Sequence, residues 1–488
     1  MAAIILGAFV TILNQTLLNV ALPKIMEDLG ISTNTAQWLT TGFMLVNGVL
    51  IPLSAYLVGK FTTRQLFITA MSLFFIGTIL CAFADNFGVL MTGRIVQAAG
   101  AGIMLPLMSI VVLTIFKVEE RGKAMGTMGI AMIFAPAVGP TLSGWIVEHH
   151  SWHVLFYIIA PFALVALLFG IFFMRNVGQL TNPKLNTMGI ILSTLGFGGL
   201  LFGFSEAGND GWDSLTVIVS LIVGGAALIW FVIKELMNKT PLLEFRVFRY
   251  DMFALTMAIN ILITMAMYAG MILTPIYMQN ILGLTPVQSG LALLPGAILM
   301  GIMSPVTGAI FDKIGARWLA VAGLVITAVT TWEFSRLTVD TTYTHMVVIY
   351  TVRMFGMSML MMPIQTAGLN QLPQRLNPHG SAMSQTLRTV GGALGTAWLV
   401  TVMTNKSKSV ATDMVVAGHV DPTKDQAKML DITQHATVAG INHAFLYAVW
   451  LTIAALALSF FIRKTKPQRD FTEPAPQPAE SSKASASV

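Results

Sequence analysis

The sequence predicts an all-α protein that crosses a membrane many times, and three observations lead there. Of 488 residues, 55% are hydrophobic and only 10% charged, with a mean hydropathy of +0.75, whereas a soluble domain is usually about 25% charged. No water-soluble fold hides that much apolar surface, so lipid is the solvent for most of the chain. The apolar residues gather into long continuous runs, each near the ~20 residues a helix needs to cross a ~30 Å hydrocarbon core. Lys and Arg concentrate in alternate connections between those runs, as expected of a multi-pass topology.

Fourteen such runs follow in order: 2–22, 36–58, 65–85, 88–116, 122–147, 153–174, 187–206, 215–236, 252–279, 286–311, 318–338, 344–368, 380–405 and 441–462. Helices are expected in each because backbone groups in lipid pair within their own segment. A β-barrel would alternate over short strands, and these runs are continuous. With both termini inside, the inner segments hold 20 of the 28 Lys and Arg, Arg388 among them, and the outer segments hold six. Arg94 and Arg353 complete the set, both inside runs. The pI near 9.4 is therefore topological, and nucleic acid is not expected as a partner.

A single cysteine, Cys81, excludes a disulfide framework, a CxxC redox pair and a cysteine metal site. No cleavable signal peptide is legible, and the first run begins at Ala2 without a basic leader, which leaves room for a start upstream. Residues 406–440 read as a polar outer loop with space for a short helix, and 465–488 as a disordered tail rich in Pro, Ala and Ser.

Residues 308–317, Gly-Ala-Ile-Phe-Asp-Lys-Ile-Gly-Ala-Arg, follow run 10, and a related stretch at 55–64 follows run 2, with Gly59 opposite Asp312 and Lys60 opposite Lys313. The glycines suit a tight turn, and Asp312 can cap a helix or pair with Lys313 or Arg317. Arg94 in run 4 and Arg353 in run 12 also stand eight runs apart. Two halves of six separated by an inserted pair explain that spacing, and internal repeats of this kind are a transporter signature. The expected units are 1–175, an inserted pair over 176–250, a second half over 251–464 and the tail.

On these residues the chain resembles the major facilitator superfamily, in particular its 14-spanner drug/proton antiporters and, within them, multidrug and lincomycin-resistance exporters of Gram-positive bacteria. The stretch Leu13–Pro23 is similar to that family's first-helix motif, and Arg94–Gly102 to its RxxQGxG motif, with Ala98 in place of the first glycine. Gly129, Pro136, Gly139, Pro140 and Gly144 in run 5 fit the glycine-proline motif associated there with antiporters. Physically, glycines let helices approach closely and prolines bend a helix that rocks; a generic packing helix is the plainer alternative. Two departures stand out: Asn14 occupies the place of a run 1 aspartate tied to proton coupling, and Gly59 that of a gating aspartate, so Asp312 alone retains that role.

Ionisable groups inside spans are functional candidates because burying them is costly. Arg94 lies roughly 9 Å and Arg353 roughly 14 Å from the outer ends of their runs, at 1.5 Å per residue. No carboxylate lies so deep, and Glu333 comes nearest, unless it simply pairs with Arg336 one turn on. Proton coupling and gating are thus expected of Arg94, Glu333, Asp312 and Arg317. Asn14, Gln15, Asn19, Trp38, Gln97, Asn260, Tyr268, Gln279, Arg353 and Gln365 are the candidate cavity residues, each with a structural role as the alternative. The 31 methionines suit an adaptable lining. The deficit of deep acids favours neutral or weakly charged amphiphiles over cations.

The run His149-His150-Ser151-Trp152-His153 hints at a metal, but the other histidines are scattered, so an outer loop with Trp152 at the interface is expected, with no metal or cofactor. No GxxxxGK[ST] loop is present for ATP drive through that motif. The expectation is a proton-coupled exporter of amphiphilic drugs, monomeric, in a bacterial plasma membrane, and not an enzyme. A metabolite permease or facilitator of the same fold is the rival within transporters, separated by net flux direction. A membrane enzyme is the rival outside them, separated by metal analysis and product formation.

Overall fold

The structure is a computed structural model and describes residues 2–177, 180, 186–238, 241–418 and 426–463. Every regular element among them is helical. The first six are α1 (Ala2–Leu29), α2 (Thr33–Lys60), α3 (Thr63–Ala82), α4 (Phe87–Ile115), α5 (Arg121–His149) and α6 (His153–Phe173). The next pair is α7 (Thr187–Asp210) and α8 (Leu215–Met237). Then come α9 (Asp251–Asn280), α10 (Pro286–Ile314), α11 (Ala316–Phe334), α12 (Tyr343–Ser358), α13 (Met361–Leu369), α14 (Asn377–Gly418) and α15 (Gln426–Ser459).

The starts are written in the sequence. Ser32, Asn86 and Thr342 accept from backbone amides at the first turns of α2, α4 and α12. Thr62 with Gln65, and Thr285 with Gln288, form reciprocal capping boxes at α3 and α10, satisfying amides that have no partner inside the helix. Gly315, at φ +83°, makes the turn from α10 to α11, a conformation a side chain would strain.

Among the described residues, eleven helical spans are long and apolar enough to cross a membrane, or twelve with α1, which bends by 59° between Ala2–Leu18 and Val20–Leu29. The two remaining expected crossings fall on α11 and α14, which are less apolar: α11 carries Arg317 and Glu333 near its ends, and α14 carries His379 and Arg388. Run 12 divides into α12 and α13 around Met359–Leu360. Pro363 explains the break, since its ring clashes with the carbonyl four residues back and it has no N–H to continue the helix. The Ser358 carbonyl, at the end of α12, accepts from the Thr307 hydroxyl at 2.9 Å.

Residues 406–440 differ from the expected loop. α14 continues to Gly418 and α15 resumes at Gln426, so most of this stretch is a helical hairpin. It holds no proline from 406 to 418, and a Cβ on Gly440 would overlap the Met403 carbonyl and Ser407, so the helices meet closely there. Trp152 likewise departs from an interfacial place: it is fully buried and stacked on His153.

The apolar core falls into two large clusters, one dominated by α1–α6 and the other by α9–α15. The halves meet where α5 packs on α10 and where α2 and α14 approach one another. The inserted helix α7 packs against both α2 and α14, while α8 packs on α7 and turns Ile218, Ile222, Ile229 and Trp230 outward.

Candidate functional site

Three arginines stand inside the apolar slab. Arg94 is 1% exposed. Its Nη1 donates to Gln97 Oε1 at 2.9 Å, its Nε to the Leu39 carbonyl at 3.4 Å, and its guanidinium lies 4.2 Å from the Phe43 ring centroid. Gln97 in turn donates to the Thr78 hydroxyl at 2.8 Å. Arg94 and Gln97 thus join α4 to α2 and α3 within one half. Arg353 is wholly buried, donates from Nη2 to the Ala266 carbonyl at 2.8 Å, and lies 5.9 Å from the Phe334 ring. Its Nε and Nη1 have no hydrogen-bond partner, and a Cβ on Gly270 would overlap Nη1.

The third arginine corrects the sequence reading. Arg388, counted with the inner segment, stands about three turns inside α14 and is half-buried. Its Nη1 donates to Gln365 Oε1 at 3.4 Å. Tyr268 lays its ring over Gly392, one turn further along α14. One turn before Arg388, Gln385 joins Gln365, Met108, Met125, Met128, Met132 and Met362 around a void of about 10 Å³, room for a single water. The void lies on the seam between the halves, with α4 and α5 on one side and α13 and α14 on the other.

Toward the basic face the halves are tied together. Asp312, at the end of α10, accepts from the Gly122 and Lys123 amides at 2.8 and 2.9 Å. A carboxylate there satisfies unpaired amides and meets the positive end of α5. Arg121 donates to Asn370 Oδ1 across the halves at 3.1 Å and to the Leu113 carbonyl at 2.7 Å. Gly308, expected in a turn, instead lets two backbones cross, since a Cβ would overlap the Gly122 carbonyl oxygen. Arg317 does not join Asp312: its Nε donates to the Ile462 carbonyl at 2.7 Å, binding α11 to the end of α15.

The α5 motif faces two partners. Gly129 lies against Ser304 of α10, Gly139 against Thr16 of α1, and Gly144 against Val287 of α10. Ser304 also donates to the Gly126 carbonyl at 2.8 Å. Pro136 is half-buried; the side chains of Pro140 and Asn19 lie outside the described residues.

The other candidates scatter. Asn14 and Asn260 are buried, each with an amide nitrogen that has no partner, a condition that costs about 1–3 kcal/mol per group. Gln15 is half-buried on α1. Trp38 is turned to the inserted pair, its ring 5.7 Å from Phe202, and Gln279 is exposed at the end of α9. Glu333 ends α11 without an ion pair to Arg336, whose amide instead donates to the Glu333 carbonyl. Of the candidate cavity residues, the structure brings Gln365 to the Met-lined void and Tyr268 to α14 at Gly392.

The Major Facilitator Superfamily model matches residues 4–396. The chain belongs to the major facilitator superfamily. Among relatives of this major facilitator protein, the lincomycin resistance protein LmrB of Bacillus subtilis is 45% identical, covering 96% of this chain and 96% of its own. The multidrug export protein EmrB of Haemophilus influenzae is 28% identical over 86% of this chain and 82% of its own. In fold, the human organic anion transporter MFSD10 (TETRAN) superposes with a TM-score of 0.62 at 12% identity, covering 92% of this chain and 98% of that one. The major facilitator protein is therefore an all-helical membrane transporter whose relatives include drug-resistance exporters.

Sequence reading missed Arg388, Arg121 and Ser304. A signal for Arg388 was present: its place eight residues past the expected start of run 13 is well inside the slab. For Arg121 and Ser304 nothing local distinguishes them from ordinary loop and helix residues.

Proposed function

We propose that this chain is a proton-coupled multidrug efflux transporter, exporting amphiphilic drugs by alternating access. The observation that carries this reading is the Asp312 carboxylate resting on two amides at the start of α5, a charged tie between halves that a rocking motion can make and break. The moving units are 1–175 and 251–464, with α7 and α8 as the inserted pair. All fourteen runs cross the membrane, α11 and α14 included. The basic face is the cytoplasmic side of a bacterial plasma membrane, with both termini there, and the protein acts as a monomer.

The names of the relatives support drug export, and the Met-lined seam supplies an adaptable apolar surface. Glu333 is the acid proposed for coupling, Asp312 the gate, and Arg94 and Arg317 hold the helices on which these move. Everted vesicles with an established acid-inside gradient test the reading. With a lincosamide, an ethidium-type cation and neutral amphiphiles added in turn, at least one should alkalinise the lumen beyond empty-vector vesicles, and Glu333→Gln, but not Glu206→Gln, should abolish that signal. Accumulation of labelled drug without proton movement would overturn the proton coupling, and equilibration without accumulation would favour a facilitator.

A further inference from the structure

The three intramembrane arginines differ in what satisfies them. Arg94 is held within its own half by Gln97, the Leu39 carbonyl and the Phe43 ring, and Arg353 within the other by the Ala266 carbonyl and the Phe334 ring, with its fully buried Nε and Nη1 left without a partner. Arg388 is half-buried, less enclosed than the other two, and its hydrogen bond to Gln365 is long at 3.4 Å. Among the described residues no carboxylate pairs with it. The acids of the helices sit at their ends, as Glu27, Glu148, Glu206, Glu235, Asp251, Asp312 and Glu333 do, so the middle of the slab holds cations without anions.

A charge in low dielectric is normally paired. The guanidinium fork matches a carboxylate in two parallel hydrogen bonds, and here its side-chain hydrogen bond among the described residues is the long one to Gln365. Gln365 is its hydrogen-bond partner, Gln385 stands one turn before it, the Tyr268 ring packs at Gly392 one turn after it, and Met108, Met132 and Met362 line the adjoining void. The void itself holds no more than a water, but its walls belong to opposite halves, so separating the halves enlarges it beside Gln365, the hydrogen-bond partner of Arg388.

We propose that Arg388 is the anion-binding residue of the transport chamber, and that the preferred substrates are amphiphiles carrying one carboxylate or a similar delocalised negative charge, with organic cations disfavoured. This rests on the efflux reading above and adds the charge class of its substrate. The same cation that attracts the anion leaves a quaternary ammonium with no counter-charge at mid-depth, so discrimination comes from repulsion as well as attraction.

The test uses three probes with one apolar body: radiolabelled 1-naphthylacetate, 1-naphthylacetamide and 1-naphthylmethyl-trimethylammonium. Binding is measured on the full-length protein in nanodiscs, and energised uptake in everted vesicles. The acetate should bind at least tenfold more tightly than the ammonium, about 1.4 kcal/mol. Arg388→Gln should erase that preference while leaving amide binding within about twofold, and Arg388→Lys should keep part of it, since the charge remains and the fork is lost. Equal or tighter binding of the ammonium by the unaltered protein would overturn the proposal, as would failure of the acetate to bind. So would an equal loss of all three probes in Arg388→Lys at an unchanged melting temperature. Anion-selective binding in nanodiscs without transport in vesicles would count against the efflux reading and uphold the site.

Discussion

Along the α5–α10 seam, Gly122 and Gly308 let two backbones cross where no side chain fits, and Asp312 fastens the end of one helix to the start of the other. Along the α2–α14 seam the position matching Asp312 is Gly59. At the start of α14, Asn377, Ser381 and Ser384 keep buried polar atoms that have no partner. There a third helix takes part: α7 bonds to α2 through Ser205 and Thr41 at 3.1 Å, and the α7–α8 turn bonds to α14 through Trp212 and Thr401 at 2.8 Å. One seam is held by a charge and close backbone contact, the other by an inserted pair bridging both halves. The difference teaches that a duplicated fold need not duplicate its fastenings, and that the inserted helices occupy the side where the charged one is missing.

Removing the charge should break the comparison most sharply. Asp312→Asn keeps an acceptor but loses the charge-assisted bonds, worth roughly 1.5–3 kcal/mol, so drug export by vesicles is expected to fall at least tenfold. Adding Gly59→Asp to that variant places a carboxylate at the position of α2 that matches Asp312 and should restore part of the export. No recovery would mean that the two seams are not interchangeable. Gly308→Ala attacks the backbone crossing instead, and overpacking of this kind costs about 1–3 kcal/mol. A lower melting temperature in detergent is the expected result, and an unchanged one would show that the crossing tolerates a methyl group. Trp212→Phe removes one hydrogen bond, about 1 kcal/mol, on the opposite seam. Thiol labelling of a cysteine introduced at Ser205 should rise severalfold, with export nearly unchanged.

Much of the helical plan was legible because lipid imposes a length and an apolarity that composition alone reveals, and caps such as Ser32 and Thr285 mark the starts. The division of run 12 was not read, although Pro363 carried its cause, because an apolar run looks continuous whether or not its hydrogen bonds are. The site was less legible still. Arg94 and Arg353 are conspicuous as charges in apolar runs, and Asp312 through its repeat, but which way a helix turns a side chain depends on packing. Trp38 and Gln279 looked like cavity residues and face elsewhere, whereas Arg388, assigned to a loop edge, faces inward. Gly308 shows the same limit: a glycine in a loop-like motif serves contact with another helix 186 positions away in sequence, at Gly122.

The 42-residue α14 is about 63 Å long at 1.5 Å per residue, roughly twice the hydrocarbon thickness. Beyond residue 405 it projects about 20 Å further, braced against α15 where Gly440 meets Ser407. Such a rod is a lever arm with its fulcrum in the bilayer: a small tilt of the half to which it belongs sweeps the far end through a larger arc than any residue in the slab. The extension amplifies motion, and a pair of fluorophores spanning from its tip to the α5–α6 connection would follow each stroke of the transporter where the displacement is greatest.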